Sequence, residues 1–195
     1  MQYPIHFRFK VLALASQIYI TDAQGADIAY LKQKMFKLKE DIRLFSNDSQ
    51  QTPLYTIKAD RIIDFSAQYN FTDAKEHTLG AIKRKGMRSI WRASYEIHNA
   101  NQQLIFRVKE KNTWVKVLDS ILSEIPLLGI FTGYFLNASY LIEDTKGTLI
   151  AELSKQAAFF EGKFSLITHS TPQAEEEKCL ILGALMVTLL ERKRS

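Results

Sequence analysis

The chain of 195 residues has one cysteine, eight glycines and four prolines. A lone Cys179 excludes an internal disulfide framework and points to a reducing compartment rather than to secretion. So little glycine and proline leaves no low-complexity linker. The chain reads as a single domain over 1–195, large enough for a sizeable core. Phosphate loops of the GxGxxG or GxxxxGK[ST] type are absent, and no histidine spacing suits a metal. Charge of one sign is not in great excess: 26 Lys and Arg against 21 Asp and Glu give a formal +5. That balance permits an acidic partner without requiring one. The start, MQYPIHFRFKVLALAS, ends in small residues like a signal peptide. Pro4, Arg8 and Lys10 interrupt it, so it reads as a first strand.

What is present begins with a greasy block near the end. From Cys179 to Leu190 the chain has twelve uncharged residues. As a helix they cover about 18 Å, well short of the roughly 30 Å hydrocarbon core. The block lacks a polar stripe, so a helix here must be enclosed on all sides. The flanks fit a helix of about 172–192. Thr171-Pro172 suits an N-cap and first position, Glu175–Glu177 the N-terminal end, and Arg192–Arg194 the C-terminal end. A membrane anchor with a basic flank is the rival reading. Cys179 reads as a small buried hydrophobe.

A repeated phrase runs through the rest. Asp22, Asp73, Asn99 and Asp144 each open a turn between apolar runs, with Gly25 and Gly147 supplying positive φ in two of them. Strands follow in period two: Phe36, Leu38, Ile42 and Leu44 share one face, and Trp91, Ala93, Tyr95 and Ile97 another. Many half-wet strands need a common interior, and closing them into a barrel removes the exposed edges. The apolar C-terminal helix is the candidate to fill it. Between Trp114 and Ile125 the spacing becomes helical, predicting a short amphipathic helix near 115–125. Pro126–Leu136 follows, broken by Pro126, Gly129 and Gly133, and reads as a loop or lid over a barrel end.

This order of features resembles the LURP-one-related family, within the Tubby C-terminal-like superfamily that also includes phospholipid scramblases. The matching stretches are ITDAQG from Ile20, LGAIKRK from Leu79, WRASYEI from Trp91, YLIEDTKG from Tyr140, FFEGKF from Phe159, and the terminal helix. The resemblance implies a mainly β fold (α+β), a twelve-stranded antiparallel β-barrel of meanders around a central hydrophobic helix. It carries no site over residue by residue: there is neither a tubby-type lipid site nor a scramblase-type acidic calcium loop.

Chemistry-bearing clusters are sparse. His6, His77, His98 and His169 are scattered, and Glu40-Asp41 and Glu143-Asp144 put neighbours on opposite strand faces. The candidate site is a basic cluster, Lys83, Arg84, Lys85, Arg88 and Arg92, in a segment without acids from Ala81 to Tyr95. Around a tight turn at Gly86 these charges would converge on a phosphate, arginine as a fork and lysine as a point charge. The plain alternative is a solvated basic face. The expectation is a non-catalytic, cytoplasmic module that needs no cofactor or metal and binds anionic phospholipid headgroups, peripheral to a membrane. A scaffold that binds a protein partner is the alternative, and an enzyme with an unrecognised site comes last. The fold resemblance favours a lipid headgroup over nucleic acid.

Overall fold

Alternation decides which face of each strand is buried. On β8 (Ser94–Asn99) Tyr95 and Ile97 are buried while Ser94, Glu96 and His98 are not. The same period puts Phe7 and Phe9 inside from β1 (Ile5–Leu12), and Tyr140 and Ile142 inside from β10 (Ser139–Glu143). This computed structural model describes residues 1–12, 15–34, 41–61, 67–85, 94–111, 139–156 and 162–194. The side chains at 11–12, 15–16, 33–34 and 193–194 are not among them. The other strands are β2 (Ala15–Thr21), β3 (Asp27–Lys34), β4 (Ile42–Phe45), β5 (Pro53–Ala59) and β6 (Gln68–Asp73). They continue as β7 (Thr78–Arg84), β9 (Leu104–Glu110), β11 (Leu149–Gln156) and β12 (Gly162–Thr168), and helix α1 (Ala174–Arg194) ends the fold.

Each strand pairs antiparallel with its neighbour in sequence, and β12 pairs with β1, so the twelve strands close into an up-and-down barrel. Closure leaves no exposed edge. It also sends every second connection to the same end. The β2–β3, β4–β5, β6–β7, β8–β9 and β10–β11 turns share the end at which α1 enters.

The four repeated turns are one device. The side-chain oxygen of Asp22, Asp73, Asn99 or Asp144 accepts the N–H groups two and four residues on, all at 2.8–3.0 Å. The fourth residue of each turn is left-handed: Gly25 at φ 80°, Glu76 at 64°, Gln102 at 60° and Gly147 at 87°.

Twelve strands make a bore too wide for side chains alone, since about eight strands already give an interior that side chains just fill. Helix α1 occupies it. Cys179 to Leu189 are all buried, and the hydroxyl of Thr188 donates to the Leu185 carbonyl at 2.7 Å, so the helix can be enclosed all round. The helix lies closest to β7 and β8. A Cβ on Gly80 would collide with the His98 carbonyl oxygen and lie 2.8 Å from Cys179 Sγ, and one on Gly183 would strike Ile97. No helix among the described residues is long and apolar enough to cross a membrane.

One expectation needs adjusting. The helix opens two residues late: the first helical bond runs from Glu177 N–H to the Gln173 carbonyl at 2.8 Å, so Thr171 and Pro172 precede the cap. The N–H of His169 still bonds to the Ile150 carbonyl, so the chain stays extended past β12 before it turns into the bore. The strand expected to carry Phe36, Leu38, Ile42 and Leu44 is described over Ile42–Phe45, and the one expected to carry Trp91, Ala93, Tyr95 and Ile97 over Ser94–Asn99; Phe36, Leu38 and Ala93 lie outside the described residues. The amphipathic helix near 115–125, the Pro126–Leu136 stretch and Trp91 lie outside the described residues.

Two outcomes follow. Gly80→Ala should lower unfolding stability by about 2 kcal/mol, because its Cβ meets backbone rather than a movable side-chain tip; urea denaturation followed by circular dichroism measures it. The Asp144 carboxyl is held below its usual range, first by the Thr148 N–H and then by those of Lys146 and Gly147, against a smaller desolvation. A depressed carboxylate adds stability above its unfolded value of 3.8 and loses it as pH falls through the folded one. Urea midpoints should therefore fall with pH below about 4. Asp144→Asn, which keeps an acceptor as Asn99 does, should flatten that fall.

Candidate anion-binding surface

The strand period splits the basic cluster. Ile82 faces inward on β7, so Arg84 shares its inner face, opposite the buried Tyr95, while Lys83 and Lys85 face outward. Lys83 stands opposite Glu96 in register, and Lys85 Nζ donates to the same Glu96 carboxylate at 2.8 Å. Lys85 therefore has an ion-pair partner, and Lys83 lies across from the same carboxylate, so the patch is partly neutralised. The structure brings Lys83 and Lys85 together and turns Arg84 toward the barrel mouth. Arg88 and Arg92 belong to the connection between β7 and β8 and lie outside the described residues.

The wall continues in matched charge. Lys109 donates to Glu143 at 2.6 Å, Lys111 to Glu152 at 3.0 Å, and Arg107 to the Thr145 carbonyl at 3.1 Å. Exposed pairs of this kind add about 0–1 kcal/mol each. Their main effect is local neutrality. Over β7 to β11 the strands hold five basic residues (Lys83, Arg84, Arg107, Lys109, Lys155) and four acidic ones (Glu96, Glu110, Glu143, Glu152).

Along the barrel axis the charge is unbalanced. The turn end gathers nine acids: Asp22, Asp27, Asp48, Asp73, Glu76, Asp144, Glu175, Glu176 and Glu177. Against them stand three lysines, Lys75, Lys146 and Lys178, for a net of minus six. The whole chain is +5, so everything else carries an excess of eleven positive charges. Strand direction places Lys10, Lys32, Lys83, Lys85, Lys155, Lys163 and the C-terminal end of α1 toward the other end. Sequence reasoning singled out the KRKGMRSIWR segment and passed over Lys10, Lys32 and Lys163. They are single charges on separate strands: the β1–β2–β3 meander brings Lys10 and Lys32 to one wall, and closure of the barrel adds Lys163.

The buried titratable groups are shifted mainly by their burial. Burial, then Glu175 and Glu176, pushes the Cys179 thiol up to about 11, and its Sγ lies 3.2 Å from the Leu79 carbonyl as a donor. Burial also raises the Tyr140 phenol well above its usual value, with Glu191 adding to it. Burial lowers the Arg192 pKa, and its guanidinium sits 4.5 Å from the centroid of the Phe9 ring. The Nδ1 of His77 lies 3.0 Å from Asp73 inside its own turn. Among the described residues no three His, Cys, Asp or Glu side chains are grouped to hold a metal.

Residues 27–171 match the model of a family described as LURP-one-related. The fold is similar to the X-ray structure of a protein from Arabidopsis thaliana, at 14% sequence identity and a TM-score of 0.50, covering 96% of this chain and 91% of that one. No curated protein matches the sequence.

With its thiol buried and its pKa raised, Cys179 should resist iodoacetamide at pH 8 in the folded protein and react fully in denaturant. Intact-mass spectrometry reads the difference, and rapid native alkylation would contradict the buried-thiol assignment.

Proposed function

This chain belongs to the LURP-one-related family, and from that premise we propose that it is a non-catalytic binding module that docks on an anionic membrane surface. The family and the barrel fold favour a binding role. The observation that carries the finer reading is an uneven distribution of formal charge: the turn end is net minus six, and the rest of the sequence, side walls included, is plus eleven. Strands of seven or eight residues make the barrel roughly 25 Å long, and the Debye length at physiological salt is about 8 Å. The acidic turn end is then screened from any surface that the basic end touches, and attraction outweighs repulsion. A lysine or arginine close to an anionic leaflet contributes about 1 kcal/mol. The end that faces the membrane in this reading carries Lys83, Arg84 and Lys85, with Arg88 and Arg92 in the connection after them.

Vesicle flotation tests this. Wild type should rise with phosphatidylcholine vesicles that contain phosphatidylserine and stay behind with phosphatidylcholine alone. Exchanging Lys83, Arg84, Lys85 and Arg88 for glutamine should weaken binding about tenfold in low salt, as the loss of one to two effective contacts predicts. Equal flotation of the two proteins would overturn the assignment of the site.

A further inference from the structure

The outer wall formed by β12, β1, β2 and β3 breaks the charge matching seen elsewhere. Strands β12, β1 and β2 contain no acidic residue, and β3 has only Asp27 at its turn end. Lys163, Arg8, Lys10 and Lys32 nevertheless project outward from them. Arg8 stands directly opposite Lys163 across the β1–β12 pair. Lys10 stands opposite Gln17, which in turn stands opposite Lys32. None of these four cations has an ion pair among the described residues. Like charges directly opposed in an antiparallel pair cost stability, and β7 to β10 avoid that arrangement by setting Glu96 against Lys83 and Arg107, and Glu143 against Arg107.

The surroundings of the opposed pair are built rather than open. The Arg8 guanidinium lies 5.3 Å from the centroid of the Tyr19 ring on β2, so its position is set without a carboxylate. Tyr19 is itself held edge-on to Tyr30, with centroids 5.0 Å apart. Two positions before Arg8, His6 faces the buried Ser165, and its Nδ1 is buried without a hydrogen-bond partner. Burial, then Lys163, keeps the His6 ring below its usual pKa, so it does not add a third positive charge at neutral pH.

We propose that Arg8 and Lys163, flanked by His6 and Tyr19, form a subsite for a phosphate monoester. Two uncompensated cations at one spot match a dianion. A phosphate monoester carries close to two negative charges at neutral pH and three acceptor oxygens, whereas a diester carries one charge. Arginine can meet two of the oxygens with its fork while lysine supplies a point charge. Lys10 and Lys32 extend the positive wall toward the basic end of the barrel. The proposal rests on the anion-docking reading and sharpens it. That reading needs only general negative charge, and this subsite grips a terminal phosphate, whether on a lipid or on a free small molecule.

The test uses the full chain with glycerol 3-phosphate as the soluble probe and vesicles of matched surface charge containing phosphatidic acid or phosphatidylserine. Glycerol 3-phosphate should shift the His6 and Tyr19 ring resonances saturably. Arg8→Gln and Lys163→Glu should each weaken that binding at least tenfold. Lys163→Glu should also raise the melting temperature, because it turns an opposed like-charge pair into an attractive one. Exchanging Lys109 and Lys111, which already pair with Glu143 and Glu152, for glutamine should leave glycerol 3-phosphate binding unchanged. If Lys163→Glu binds the probe as wild type does, or melts lower, the subsite is overturned. Equal binding to the two vesicle types also overturns it and leaves general docking standing. If neither vesicle binds but the probe still depends on Arg8 and Lys163, membrane docking fails and the subsite stands, with a soluble phosphate as its ligand.

Discussion

The bore of the barrel has to be filled. A meander of twelve strands closes at a diameter that inward side chains cannot span, and an empty or wet interior would forfeit the burial of Phe7, Phe9, Phe71 and Phe164. Helix α1 answers that demand, and the demand dictates its composition. Any charge between Cys179 and Leu190 would sit in the dry interior, where an unpaired ion is far more costly than a methyl group. The strands adapt in return. Gly80 and Gly183 lack the Cβ atoms that would otherwise hold the helix away from β7 and β8. Neither part has a reason to persist without the other, since each is the surface on which the other buries its apolar face.

Once the helix is threaded through the bore, the polarity of the molecule follows. The chain enters from the turn end, so the acids that favour a helix N-terminus gather there, and the cations that favour its C-terminus gather at the other end. The meander adds to this by delivering the four Asx turns to the entry end. Three of those turns use aspartate, because its carboxylate accepts two backbone N–H groups at once. Much of the acidic cap is therefore turn and helix chemistry. The cations on the outer wall of β12, β1 and β2 have no comparable local reason. Arg8 opposite Lys163 satisfies no turn and caps no helix, so neither requirement accounts for the pair.

Much of this was legible from residues alone. The Asp-x-x-Gly phrases announced their turns because a short acceptor and a left-handed position are local requirements. Tyr95 and Ile97 announced their inward face because period two is a property of the strand itself. Cys179 could be read as a buried hydrophobe because Lys178 is the one basic residue beside it and the stretch after it is apolar. The candidate site was harder to read. The run KRK looks like one cluster on paper, yet a strand turns Arg84 inward and its two neighbours out, and Glu96 from the next strand partly neutralises what remains. Thr171 and Pro172 carry a helix-start signature, but the first helical bond is made by Glu177 to Gln173, after the chain has left β12.

Local chemistry by itself determined that there would be half-buried strands, tight Asx turns and one enclosed helix, because each depends on residues within a few positions of one another. Tertiary structure alone decided which charges meet. Arg8 and Lys163 come from opposite ends of the chain and are opposed only because β1 pairs with β12 to close the barrel. A sequence records the sign of each charge. Whether it is answered or left open depends on a neighbouring strand, and in a closed barrel the last neighbour is chosen only when the ring is complete.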